Sequence, residues 1–159
     1  PKTDGRTYSI IDKEFNNNLF SEEKKLLVFD NNLSFETTEF TNKNFEKIFL
    51  VLNSNETRKI KLSEKVLNFK KFLTHDQDKR LKQKSINCEI INIEELKNIN
   101  EDIYALYPSV GENLDYINSI NLKNIKFLYR KIDKYSWKFC NKGFFNFKNY
   151  IPKIVQEFI

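Results

Sequence analysis

The sequence predicts an α/β fold with a mainly parallel sheet of about five strands and helices on both faces, a Rossmann-like architecture. Short apolar runs alternate with stretches of helical spacing, which is the order of elements in βα repeats. The early runs are continuous rather than alternating, which is typical of strands buried on both faces. At 159 residues the chain suits one domain. We therefore expect residues 1–159 to form a single α/β domain with a basic aromatic C-terminal segment, 123–159.

The apolar runs are the predicted strands. Asp30-Asn31-Asn32 follows the first run and Asn53-Ser54-Asn55 follows the second, and such turn formers end a strand. The predicted strands are 26–29, 48–52, 88–93, 103–107 and 125–129.

The longest predicted helix covers residues 63–83. Ser63 suits its N-cap, and Leu62 and Leu67 occupy the positions of a hydrophobic staple. Helical spacing is followed roughly by Val66, Phe69, Leu73 and Leu81.

Shorter helical stretches follow. One helical turn is expected at 94–98, and a helix at 112–120 places Leu114, Ile117 and Ile120 on one face. A terminal helix is expected to begin near Pro152, which suits a first helical turn.

Three segments have no single interpretation. Residues 1–20 fit an irregular lead-in or a short helix, and residues 130–150 fit no element pattern. Residues 33–46 contain a poor helix, and their SFETTEF motif would equally support an extra strand.

Composition excludes several classes of protein. A hydrophobic fraction of 40% argues against disorder, and three glycines and three prolines disfavour a turn-dense β-sandwich. No apolar run approaches the length of a membrane-spanning helix. Two cysteines, Cys88 and Cys140, make no disulfide framework and fit a reducing compartment. We expect a cytoplasmic protein with no membrane partner.

Positive charge is concentrated near the C-terminus. Residues 123–159 hold nine basic and two acidic groups together with ten of the 23 aromatic residues. Lysines interleaved with aromatic rings are typical of a nucleic-acid surface, because ammonium groups neutralise phosphates and rings stack on bases. A solvated face over an aromatic core and a docking face for a protein subunit fit the same pattern. The candidate residues of this surface are Lys126, Arg130, Lys134, Lys138, Lys142 and Lys148 for charge, and Tyr135 and Trp137 for stacking.

A second candidate site lies at the carboxyl ends of the strands, where ligands of parallel sheets bind. Asp30, Asn31, Asn53 and Glu112 are expected there and suit hydrogen bonding to a nucleotide or similar ligand. The same residue types are also common in turns and caps. Three scattered glycines form neither GxGxxG nor GxxxxGK[ST], which removes the common dinucleotide and P-loop interpretations.

Little in the sequence indicates catalysis. His75 is the only histidine and has the context of a surface residue, and one histidine with two cysteines 52 positions apart makes no zinc site. The sequence therefore favours a non-catalytic nucleotide- or ligand-binding domain with no metal and no identified cofactor. One rival is a small transferase or nuclease whose acidic pair includes Asp30 and Glu112. Another is a protein-interaction subunit or inhibitor.

Several short motifs occur in an order that resembles a known family. VFDNNLS (28–34) ends the first strand, Lys79-Arg80-Leu81 ends the long helix, and YPSVGE (107–112) opens the next helix. Over residues 24–130 this is similar to the N-terminal α/β domain of the photolyase/cryptochrome superfamily, particularly its photolyase-related branch. The resemblance implies an isolated domain that binds an antenna-like chromophore or a nucleotide, or one piece of a split protein. Residues 131–150 would then dock the missing part.

The chain departs from that family in two respects. A length of 159 residues has no room for the large helical domain that holds flavin, and the cluster-ligating cysteines of the related branch are missing. The resemblance therefore does not extend to light-driven repair.

Overall fold

A computed structural model describes residues 24–122, 124–140 and 142–158. Contacts group these residues into two compact units, one that holds residues 24–128 and one that holds residues 129–158. The expectation for residues 1–20 lies outside the described residues. A single domain over the whole chain stays a prediction.

The first unit is built on a five-stranded parallel sheet. Its strand order is β3-β2-β1-β4-β5, and every neighbouring pair is parallel. The predicted α/β class and all five predicted strands are confirmed. The strands are β1 (Leu26–Phe29), β2 (Ile48–Leu52), β3 (Cys88–Asn92), β4 (Ile103–Leu106) and β5 (Ile125–Leu128).

Helices cover both faces of this sheet, as predicted. Helix α1 (Glu64–Gln83) connects β2 to β3, and helix α2 (Glu112–Ser119) connects β4 to β5. Side chains of β1 alternate between two apolar clusters because successive residues of a strand point to opposite faces. Leu26 and Val28 share one cluster with Leu81 of α1. The opposite cluster joins Leu27 and Phe29 to Ile117 of α2 and to Leu96 of a 3₁₀ helix, Ile93–Asn98.

The connection between β1 and β2 contains no strand. A short 3₁₀ helix, Phe35–Thr37, is followed by turns. Threonine hydroxyls donate to nearby carbonyls, with Thr38 Oγ1 2.8 Å and Thr41 Oγ1 3.0 Å from the Phe35 oxygen. Local side-chain bonds of this kind satisfy the turn and compete with sheet pairing. The extra strand considered for this segment is therefore not formed.

Helix α1 buries a different face from the one its apolar spacing indicates. Val66 and Phe69 are exposed, whereas Thr74, Gln77 and Leu81 are buried. Ser63 is the N-cap as predicted, but its side chain makes no capping hydrogen bond.

A polar network explains why α1 turns Gln77 inward. Gln77 Nε2 donates to Glu36 Oε2 at 2.7 Å, and Arg80 Nε donates to Glu36 Oε1 at 2.6 Å. Arg80 also donates to the backbone oxygen of Leu33 at 3.0 Å. A buried amide is tolerated when it is hydrogen-bonded. The connection from β1 to β2 therefore fixes the rotation of α1.

The second unit is helical. Its helices are α3 (Lys131–Trp137), α4 (Phe144–Phe147) and α5 (Ile151–Phe158), so the predicted terminal helix is confirmed. Phe139 stacks on Tyr150 with ring centroids 4.4 Å apart. Among the described residues of both units, no helix is long and apolar enough to cross a membrane.

Candidate functional site

Strand order creates one special position at the carboxyl edge of the sheet. The chain runs from β1 outward through β2 and β3, and then returns to place β4 on the other side of β1. The connections that follow β1 and β4 therefore lead to opposite sides of the sheet, and this switch point is where open α/β sheets bind ligands.

Asp30 lies at this position, immediately after β1. Its side chain is only 4% exposed, and its Oδ2 forms an ion pair with Nζ of Lys70 from α1. Its Oδ1 accepts a hydrogen bond from Nδ2 of Asn113, on α2, at 2.9 Å. One buried carboxylate thus connects the helices of both sheet faces.

Asn53 extends this chain of hydrogen bonds from the end of β2. Its Nδ2 donates to Oδ1 of Asn113 at 2.9 Å. The carboxylate of Asp30 only accepts hydrogen bonds, so Asn113 must direct its NH₂ group to Asp30 and its oxygen to Asn53. Asn53 must then donate its own NH₂ group. This network fixes the orientation of both amides.

The remaining oxygen of Asn53 has no partner. Asn53 is 9% exposed, and its Oδ1 is a buried acceptor without a hydrogen bond. An unsatisfied buried acceptor costs about 1–3 kcal/mol. A donor N–H or O–H group from a ligand or an ordered water would recover that free energy.

Asn31 and Asn32 bridge the two connections at this edge and do not extend the Asp30–Asn113–Asn53 chain. Asn31 Nδ2 donates to the backbone oxygen of Pro108, and Asn32 Nδ2 donates to that of Tyr107 at 3.3 Å. These bonds join the connections after β1 and β4. Asn31 therefore lies at the carboxyl edge, where the sequence predicts it, and its amide group is hydrogen-bonded to the loop between β4 and α2.

The loop between β4 and α2 has two residues in left-handed conformations. Ser109 has φ +61° and Gly111, the N-cap of α2, has φ +134°. No atom lies within 4 Å of the position that a Cβ of Gly111 would occupy. The backbone conformation, rather than crowding, is what favours glycine here.

Glu112 binds Arg58 instead of facing Asp30. Both carboxylate oxygens contact the guanidinium, each at 2.5 Å, and the Arg58 side chain is only 8% exposed. This bidentate pair joins the connection after β2 to the first turn of α2. Asp30 and Glu112 each have a cation of their own, so this geometry offers no support for the acidic pair of a transferase or nuclease.

Ser54, the residue after Asn53, contacts the acidic side chain of Glu94, which in turn influences the phenol of Tyr116. Ser54 Oγ donates to Glu94 Oε1. Burial raises the pKa of Tyr116, and the negative charge of Glu94 raises it further. In the described part of the chain, no group of three or more His, Cys, Asp or Glu residues is arranged to hold a metal ion.

Sequence reasoning misses Lys70 and Asn113. Both lie on helices, where their inward direction depends on the rotation of the helix about its axis. Position alone gives one usable signal, because Asn113 is the second residue of α2 and directly follows Glu112.

The basic residues predicted to form one surface fall in both units. Lys126 is exposed on β5, and the others belong to the unit of residues 129–158. Asp133 binds the guanidinium of Arg130 at 2.7 and 3.0 Å. Lys138 is exposed with its Nζ 5.8 Å from the ring centroid of Tyr135. Lys142 and Lys148 are exposed, and Lys134 is half-buried.

The two predicted stacking residues lie within the aromatic packing of the second unit. Tyr135 makes an edge contact with Phe158 at 5.3 Å, and Trp137 makes one with Tyr129 at 5.8 Å. Both side chains are half-buried. The more accessible rings are Phe144 and Phe145, which are 67% and 86% exposed.

Comparison with protein-family models, with curated proteins and with solved structures finds no match to this chain.

Proposed function

We propose that the unit of residues 24–128 is a non-catalytic domain that binds a nucleotide or similar small polar ligand at the carboxyl edge between β1 and β4. The observation that carries this proposal is the buried Asn53 oxygen, which the Asp30–Asn113–Asn53 chain leaves without a donor. Nucleotides offer suitable donors in their ribose hydroxyls and base amino groups. The position at the strand-order reversal supports the same proposal.

Thermal stability measured with a ligand panel tests this proposal. Adenosine, AMP, GMP and UMP are each added to the whole protein, and binding is then measured by calorimetry. A ligand at about 100 times its Kd stabilises the folded state by about 2.7 kcal/mol, which raises the Tm by several degrees.

Two asparagine-to-alanine variants, one in the site and one outside it, test whether the Asn53 oxygen binds the ligand. Asn53→Ala removes the acceptor and should abolish the shift in Tm. Asn42→Ala changes an exposed asparagine of the connection before β2 and should preserve it. Absence of binding by the whole panel would show that the proposal is wrong.

A second candidate function is binding of nucleic acid or an acidic protein by residues 129–158. Exposed Phe144 and Phe145 beside Lys142 and Lys148 favour it, since rings stack on bases while lysines contact phosphates. Fluorescence anisotropy with labelled DNA at about 50 and 200 mM salt should show a steep loss of affinity with salt. Combined reversal of Lys138, Lys142 and Lys148 to glutamate should weaken binding without a lower Tm. Lys97→Glu, on the 3₁₀ helix before β4, is the control for a charge reversal outside residues 129–158 and should leave binding unchanged.

The resemblance to the photolyase/cryptochrome N-terminal domain remains part of the proposal, with an antenna-like chromophore as an alternative ligand. A bound chromophore would absorb at wavelengths where tyrosine and tryptophan do not. Purified protein that lacks such absorbance, and gains none when supplied with a chromophore, would remove this alternative. We also propose a cytoplasmic location, because both cysteines are free thiols.

A further inference from the structure

Helix α1 has an exposed aromatic face that neither the fold nor the carboxyl-edge site uses. Phe69 is 60% exposed and Phe72 is 68% exposed. Residues three apart are neighbours on a helix surface, so the two rings form one patch. Large apolar side chains that are exposed together mark interaction sites more often than single ones do.

Two lysines lie on the same face of α1. Lys65 is four residues before Phe69, and Lys79 is seven residues after Phe72. Both are exposed, and neither has an ion-pair partner within the described ranges. At 1.5 Å per residue, Lys65 and Lys79 lie about 21 Å apart along the helix axis with both rings between them.

The acidic groups of α1 mostly have partners. Asp76 binds Arg80, and Asp78 binds Lys82. Glu64, in the first turn, is the remaining acidic residue of the helix. The exposed face therefore presents an excess of positive charge to a partner.

Charge argues against a second copy of the chain as that partner. Two α1 helices paired antiparallel about Phe72 would bring Lys65 of one opposite Lys79 of the other, and like charges in an interface repel. Lysine is also depleted in protein–protein interfaces, whereas phosphate contacts require it.

We propose that the exposed face of α1 binds single-stranded nucleic acid, with Lys65 and Lys79 on phosphates and with Phe69 and Phe72 stacked on bases. Stacking on a phenylalanine ring accepts any base. Sequence-specific bidentate contacts to bases require a free arginine, and Arg80 forms ion pairs with Glu36 and Asp76 instead. Binding is therefore tolerant of sequence and sensitive to salt. This site uses none of the residues of the surface proposed for residues 129–158.

Anisotropy of labelled oligo-dT and oligo-dA with the whole protein tests the site. Phe69→Ala and Phe72→Ala should each weaken binding roughly 5- to 150-fold, the range observed for loss of one base–aromatic stack. Lys65→Ala and Lys79→Ala should each reduce the slope of log affinity against log salt by about 0.7. The Tm of each variant should stay unchanged, because these side chains are exposed.

Two control variants change the same chemistry elsewhere. Lys97→Ala removes an exposed lysine on the 3₁₀ helix between β3 and β4. Val110→Ala truncates an apolar side chain that is 88% exposed. Both should bind like the unaltered protein.

Three outcomes would overturn the proposal. One is absence of oligonucleotide binding, including the case in which the protein binds anionic vesicles instead. Another is binding that reversal of Lys138, Lys142 and Lys148 abolishes while the α1 variants leave it unchanged. The third is equal loss of affinity in the control variants.

Discussion

Asp30 is the residue on which the carboxyl edge depends most. A carboxylate that is 4% exposed is stable in ionised form only with close partners, and here these are Lys70 and Asn113. Because those partners come from α1 and α2, the same contacts that satisfy the charge also position the two helices. The orphaned oxygen of Asn53 is a consequence of this arrangement, since Asp30 sets the direction of the whole amide chain.

Replacing Lys70 should therefore be costly. Lys70→Met leaves the Asp30 carboxylate without its cation and should lower the free energy of unfolding by about 1–3 kcal/mol. Removal of one partner from a fully buried ion pair costs about 3–5 kcal/mol. We expect a smaller loss here because the Lys70 side chain is 30% exposed. Urea denaturation measures the change. Lys71→Met, one residue away and exposed, should stay within about 0.5 kcal/mol of the original. Equal effects of the two substitutions would contradict the role assigned to the ion pair.

The two cysteines should differ in reactivity. Burial raises the pKa of the Cys88 thiol to about 11, and the hydrogen bond from its Sγ to Asp78 adds to the increase. At pH 8 only about one Cys88 in a thousand is then the reactive thiolate. Cys140 is exposed. A DTNB reaction at pH 8 should show one fast thiol that Cys140→Ser removes, and a second that reacts only after denaturant is added. Two thiols of equal rate in the folded protein would refute this.

At the scale of elements, the apolar pattern predicts where strands and helices occur better than it predicts how helices are rotated. Residues 26–29 and 48–52 are short continuous apolar runs bounded by turn formers, which is typical of buried strands. Their polar successors Asp30 and Asn53 are therefore correctly placed at the carboxyl edge. The apolar spacing of helix α1 indicates a buried face that includes Val66 and Phe69, but both are exposed in the structure. The choice of buried face depends on Glu36, from a connection whose structure the sequence leaves open.

The Glu36 network should make stability depend on acid pH. Burial raises the pKa of Glu36, but hydrogen bonds from Gln77, its own backbone amide and Arg80, together with the charge of Arg80, lower it below its ordinary 4.5. The unfolded chain therefore takes up this proton at higher pH than the folded one. The stabilisation is present above about pH 4.5 and is lost as the pH falls through the lowered folded value.

Glu36→Gln tests the sign of this effect. Urea denaturation at pH 7, 5, 4 and 3 should show the variant less stable at neutral pH, with a difference that shrinks toward pH 3. Glu56→Gln, at an exposed position in the connection after β2, controls for the general loss of a carboxylate. A difference that is constant with pH would show that the Glu36 charge does not contribute through this network.

At the scale of the molecule, the order of the strands determines both the core and the candidate site. The chain order of the elements predicts a parallel sheet, but it leaves open which strands are neighbours, because several orders satisfy right-handed crossovers. The observed order puts β1 at the centre, with β2 on one side and β4 on the other. All four β1 residues are fully buried, and Asp30 of the candidate site directly follows this strand.

Central placement of β1 predicts a gradient of hydrogen-exchange protection across the sheet. Its backbone groups bond to neighbours on both sides, so its amides should exchange only when the whole unit unfolds. Within the described ranges the edge strand β5 pairs only with β4, and Ile125 and Phe127 are half-buried, so local opening should exchange its amides sooner. The free energy of opening for Leu26 and Leu27, which pair with both β2 and β4, should match that of unfolding in urea, and the value for β5 should be lower. Equal protection of the two strands would mean that the sheet opens as one unit. The candidate site beside β1 would then be no more rigid than the edge strand.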